Sequence, residues 1–207
     1  TYIITLINNW PNSIDEFVLI CNKSHPGIDR YESEINRKID FIWHDHYHIN
    51  YFSNFIIKHF KSILLMKIVR RLIGLFNFFF FLYYLIFLKR TLFKFDPDSL
   101  IVVNGGYPGG LSCLAASVCW GLFKREKYSM HNFHNIAFST NKYQFISNYI
   151  DYLVEKYSSS LVSVSDVASK SILNRVSFKK TKKLSYIYNG IELKDEKITK
   201  NVKNELL

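Results

Sequence analysis

The chain has 207 residues, enough for one domain or one and a half, and with 48 % of them hydrophobic and 21 % charged wholesale disorder is excluded. Lys and Arg number 27 against 17 Asp and Glu, so the net charge of +10 points to an anionic partner: nucleic acid, membrane surface or phosphorylated substrate. Cys21, Cys113 and Cys119 show no CxxC spacing, which argues against a disulfide framework or a cysteine zinc site and fits a reducing compartment. The chain starts at Thr1 without a charged, apolar, small-residue leader, and we expect a fragment whose true N-terminus lies upstream.

Residues 1–10 (TYIITLINNW) read as the end of a helix closed by Pro11 and Asn12. DEFVLICN, residues 15–22, is a short apolar run between turn formers and predicts a buried strand. Pro26 and Gly27 mark a turn, residues 32–40 read as a polar helix, and FIWHDHYH reads as a strand or extended loop. In a strand, His44, His46 and His48 would share one face and could ligate zinc. No second ligand cluster accompanies them, so an exposed polar loop is the preferred reading.

The middle of the chain is the most unusual part. Residues 72–88 (LIGLFNFFFFLYYLIFL) carry no charge, with Lys67, Arg70 and Arg71 before them and Lys89 and Arg90 after. A spanning helix needs about 20 apolar residues, about 17 at the least. Basic flanks on both sides give no orientation, and Gly74, Asn77 and two tyrosines interrupt the run. We expect an aromatic helix over about residues 63–94 that lies in a membrane interface or packs on a sheet with a greasy face outward, in preference to one that spans.

From Ser99 the pattern is regular. SLIVVN predicts a strand, NGGYPGG a turn, LSCLAASVCWGLF a helix, EKYSMHN a strand, FISNYIDYLVEKY a helix and SLVSVS a strand. Ser165 then stands as N-cap to DVASKSILNR, with Asp166 in its first turn, and LSYIY is a last strand. Apolar strands alternating with amphipathic helices imply an open α/β, Rossmann-like domain with a parallel sheet. Ligands of such a sheet collect beyond the carboxyl ends of its strands, which here are residues 104–110, 131–135 and 165–166. The glycine-rich turn has neither the GxGxxG nor the GK[ST] spacing, so it reads first as a turn and second as an anion site. His131 and His134 could bind a substrate or move a proton. Scattered basic residues and no reading motif argue against nucleic acid.

VNGGYPGG, SMHN, LVSVSDVASKSIL and IYNGIE together resemble the N-terminal domain of the retaining family 4 glycosyltransferases, which have the two-domain GT-B fold. WPNSIDEFVLICNKSHPG is similar to the second-strand region of bacterial surface-polysaccharide members, and the resemblance covers residues 1–193, least well in 40–95. It implies a Rossmann-like acceptor-binding domain over residues 1–190 and the start of an interdomain linker or tail over 191–207. The first strand would lie upstream. The C-terminal domain, which in this family binds the nucleotide-sugar and carries paired glutamates, would lie beyond the tail.

The resemblance further implies transfer of a sugar from a nucleotide-sugar to a lipid-linked or polysaccharide acceptor, as in lipopolysaccharide biosynthesis, by a cytoplasmic protein peripheral to the inner face of the cell membrane. No metal and no other cofactor is expected, and this segment alone should be inactive. His131 would contact the transferred sugar or the acceptor, with His134 as fallback because the register of HNFHN is ambiguous. Gly105, Gly106 and Tyr107 would adjoin the acceptor, while Asn189 and Gly190 would shape the hinge. The competing reading is a non-catalytic membrane-anchoring subunit that recruits a separate catalytic chain, suggested by residues 72–88. A soluble nucleotide-binding oxidoreductase lacks its fingerprint.

Overall fold

A computed structural model describes residues 2–23, 25–44, 63–124 and 126–188, with only the backbone described for 63–75. The chain is α/β, and its parallel strands form two small sheets. Helix α1 (Tyr2–Asn8) leads to β1 (Phe17–Asn22), then α2 (Ile28–Glu34) and β2 (Ile39–His44). β1 and β2 pair in parallel from Phe17 opposite Ile39 to Asn22 opposite His44. The long helix α3 (Ile63–Phe95) precedes β3 (Leu100–Asn104), α4 (Leu111–Phe123), β4 (Ser129–Phe133), α5 (Phe145–Tyr157) and β5 (Ser160–Ser163). Helix α6 (Asp166–Ser171) and two 3₁₀ turns then lead to β6 (Leu184–Tyr186), and the second sheet has the order β3-β4-β5-β6.

Two expectations need correction. A single open sheet was expected, but no described strand joins β1 to β3, so the backbone edges of the two sheets are separate. The polar helix lies at Ile28–Glu34, not at residues 32–40. It starts directly after the turn at Gly27 and is fastened by Arg30 to Glu34, one helical turn apart (2.5 Å). Residues from Ile39 on are drawn into β2 because pairing with β1 satisfies their backbone groups. His46, His48, Asn189, Gly190 and 191–207 lie outside the described residues.

The core lies between the second sheet and the helix layer α3–α4–α5. Leu114, Val118 and Trp120 of α4 meet Phe133, Leu161, Val154 and Ile172, all with at most 2 % exposure. Burying side chains of this size contributes about 1.5–3 kcal/mol each. Helices α4 and α5 approach so closely that a Cβ on Gly121 would stand 2.3 Å from the Tyr157 carbonyl oxygen. Helix α3 adds Phe81, Tyr84, Leu88 and Leu92 to the same core.

Phe93 of α3 meets Phe123 at the end of α4, with ring centroids 6.0 Å apart, and Phe78 faces Tyr149 in the first half of α5 (6.3 Å). The three helices therefore run side by side in one direction. After α3, Asp96 adopts a positive φ of 41° and reverses the chain. Lys124 donates to Asp96, while Lys127 donates to the Pro97 carbonyl and to Asp98 (both 3.1 Å), which clasps this reversal onto the end of α4. Ser165 caps α6 as expected, accepting from the Ala168 N–H at 3.2 Å.

Candidate functional site

The carboxyl edge of the second sheet is organised around Asn104, the last residue of β3. Its Nδ2 donates to the Pro108 carbonyl (3.0 Å) and its Oδ1 accepts from the Gly110 N–H (3.3 Å), so the glycine-rich turn wraps around this one amide. Gly109 has φ +58°, and a Cβ there would stand 1.9 Å from Asn104 Oδ1. Only glycine fits that position. A Cβ on Gly105 would meet nothing within 4 Å, and one on Gly106 would only touch Asn135 at 3.5 Å. These two glycines thus leave an open backbone face, with Asn135 Nδ2 holding the Gly105 carbonyl (2.6 Å).

Strand alternation sends the residues of β4 to opposite faces. His131 and Phe133 both meet Tyr107, at centroid distances of 5.8 and 6.1 Å. His131 is 0 % exposed, with Nδ1 2.7 Å from Ser117 Oγ and Nε2 3.4 Å from Asn104 Nδ2. The turn contacts fix which end of the Asn104 amide is the donor, so Nε2 accepts and the imidazole proton sits on Nδ1, directed at Ser117. Burial pushes the His131 pKa down to about 4, so the ring is neutral at pH 7. Expected to touch sugar or acceptor, His131 is instead enclosed. It positions the turn through Asn104.

Tyr107, expected to adjoin an acceptor, is likewise turned inward, at 1 % exposure. Its hydroxyl donates to Asp151 Oδ1 (3.1 Å), and burial pushes the phenol well above its ordinary range. Arg175 donates from Nε and Nη2 to both oxygens of Asp151 (2.9 and 3.0 Å) and lies 4.9 Å from the Tyr107 ring centroid. Both members of this ion pair are almost fully enclosed, so each needs the other. The network fastens the glycine turn to α5 and to the segment after α6.

The other face of β4 is different. Asn132 is 3 % exposed; its Nδ2 donates to the Tyr2 hydroxyl (3.1 Å), and its Oδ1 has no protein partner. His134, just beyond the strand, sets its ring edge-on to Tyr2 (4.5 Å), and its buried Nε2 also has no partner. Burial lowers the His134 pKa, so neutral imidazole is favoured. Two unsatisfied polar atoms therefore stand on one face, under the first turn of α1. Such an arrangement can accept and donate hydrogen bonds to a hydroxyl-bearing or phosphate-bearing ligand. Asn132 was missed by sequence reasoning, although the period of two in SMHNFHN joins it to His134 and separates both from His131.

Other candidates are less suited to chemistry. Burial pushes the Cys113 and Cys119 thiols up to about 11, which removes them as nucleophiles. His44 packs against Tyr84 and Phe87 of α3 (6.5 and 5.7 Å). Among the described residues no three His, Cys, Asp or Glu side chains gather as metal ligands. A cavity of about 350 Å³ lined by Lys127, Lys156 and Ser158 lies where α4 and α5 end, at the opposite edge of the sheet from Asn104, Asn132 and His134. Compared with protein-family models and with curated proteins, the chain matches none.

Proposed function

We propose that the chain is the acceptor-binding half of a retaining GT-B glycosyltransferase, which moves a sugar from a nucleotide-sugar to a lipid-linked or polysaccharide acceptor. The observation that carries this reading is the pair of unpartnered atoms, Asn132 Oδ1 and His134 Nε2, at the carboxyl end of β4. In an open parallel sheet that edge is where ligands bind. In this reading His134 and Asn132 bind the acceptor, the open backbone at Gly105 and Gly106 lets it approach, and His131 positions the turn. The nucleotide-sugar is held by the partner domain.

Calorimetry on residues 1–207 with a short-chain polyprenyl-diphosphate sugar and with UDP- and GDP-sugars tests this. The acceptor analogue should bind, the nucleotide-sugars should not, and His134→Ala should weaken the acceptor roughly tenfold or more, the loss of one hydrogen bond to a charged group. Micromolar binding of a nucleotide-sugar, or no effect of His134→Ala, refutes it. The bare outer face of α3 favours a second reading, a non-catalytic subunit that holds a catalytic chain at a membrane. Bilayer binding without any acceptor binding would select that one.

A further inference from the structure

Between Phe76 and Leu88 helix α3 carries apolar side chains on all sides, yet among the described residues the fold buries only one of them. Phe81, Tyr84, Leu88 and Leu92, each at most 5 % exposed, enter the core beside α4. On the opposite side Phe76, Phe79, Tyr83, Ile86 and Phe93 are between 46 % and 63 % exposed. Their spacing follows the helical period, so they form one continuous stripe. Phe123, 42 % exposed at the end of α4, extends it. Such a contiguous aromatic surface marks an interaction site.

Charge identifies the occupant. The charged residues of α3 are Lys67, Arg70, Arg71, Lys89, Arg90 and Lys94, all basic. Lys89 and Arg90 line a shallow depression of about 380 Å³ together with Ile86 and Phe93 of the stripe. Lys89 Nζ lies 4.4 Å from the Phe123 ring centroid and Lys124 Nζ 5.1 Å from that of Phe93. The nearby carboxylates, Asp96 and Asp98, are engaged by Lys124 and Lys127.

We infer that this face lies flat on an anionic lipid bilayer, the stripe in the acyl boundary and Lys89 and Arg90 at headgroup phosphates. A second copy of the chain fits worse, because a two-fold contact would set Lys89 and Arg90 of both copies in one interface. Spanning fits worse as well. Residues Phe76–Phe95 are long enough, at 20 residues and mean hydropathy 1.3, but their inner side is committed to α4. Crossing the bilayer would strip that side from the core or carry the Lys124–Asp96 pair into hydrocarbon. The inference does not rest on the glycosyltransferase reading.

Co-sedimentation of residues 1–207 with phosphatidylglycerol–phosphatidylcholine vesicles tests it. The chain should bind these and leave phosphatidylcholine vesicles largely free. Lys89→Gln with Arg90→Gln, and separately Phe79→Ser with Ile86→Ser, should each weaken binding roughly tenfold or more while circular dichroism stays unchanged. A Phe79→Trp chain should show blue-shifted emission quenched by lipids brominated near the headgroup end of the acyl chain. Equal binding to neutral vesicles or unchanged affinity in both double variants overturns the inference. So does retention through carbonate washing, which marks a span, or a lipid-free dimer dissolved by Phe79→Ser with Ile86→Ser, which marks a second copy.

Discussion

The two faces of β4 lie within one strand and are built on opposite principles. Toward α4, every polar group has a partner: His131 has Ser117 and Asn104, and Tyr107 has Asp151, which has Arg175. Toward α1, Asn132 and His134 each keep an unsatisfied atom. An enclosed network with all its bonds made holds a shape, and its worth is measured as stability. Enclosed polar atoms without a protein partner cost stability unless a water or a ligand satisfies them.

The sharpest break is Arg175→Met, which leaves the enclosed Asp151 carboxylate without its cation. We expect a loss of about 3–5 kcal/mol in urea denaturation, the range for removing one member of a buried pair. A loss near zero would mean that the network does not fasten the turn.

A change of pH reaches the same face more gently. His131 has a folded pKa of about 4 against 6.5 as a free side chain, so the unfolded chain binds the proton more readily. Its contribution is fully present above pH 6.5 and declines as the pH falls toward 4. The gap amounts to roughly 3 kcal/mol, read as a falling urea midpoint across that window. His131→Gln should flatten this slope. An unchanged slope would place the titration on another group.

On the open face, His134→Ala should change stability by about 1 kcal/mol or less, and Asn132→Ala, which also loses its bond to the Tyr2 hydroxyl, by about 1–2 kcal/mol, because each removes an atom that had no partner. Their effect should appear in ligand binding. A stability loss as large as that of Arg175→Met would show that both faces serve the fold.

Legibility in the sequence followed how local the cause was. Helices α4 and α5 have the bounds that apolar spacing and flanking turn residues imply, and the Ser165 cap is a contact between near neighbours. Helix α2 was misplaced because residues 32–40 are polar enough for a helix, whereas pairing with β1 claims them from Ile39 onward. The two-sheet arrangement depends on which strands pair, and pairing between distant segments leaves no local signal. At the site, both histidines were legible by residue type and position. The opposite faces of His131 and His134 were available from alternation alone. The Asp151–Arg175 pair was not, since nothing local joins residues 24 apart.

The parallel course of α3, α4 and α5 has a geometric consequence for a protein seated on its aromatic stripe. Strands joined by such helices run antiparallel to them, so a horizontal α3 makes the strands horizontal too. The carboxyl edge then opens sideways, along the bilayer and not up into the water. The N-terminal half of α3 lies toward that edge, as Phe78 meets the first half of α5. Asn132 and His134 would stand above the headgroups by somewhat more than one helix diameter, roughly 10 Å. A head carried on a lipid tail could slide in from the side, its reach set by a diphosphate and a sugar or two, with its tail never leaving the membrane.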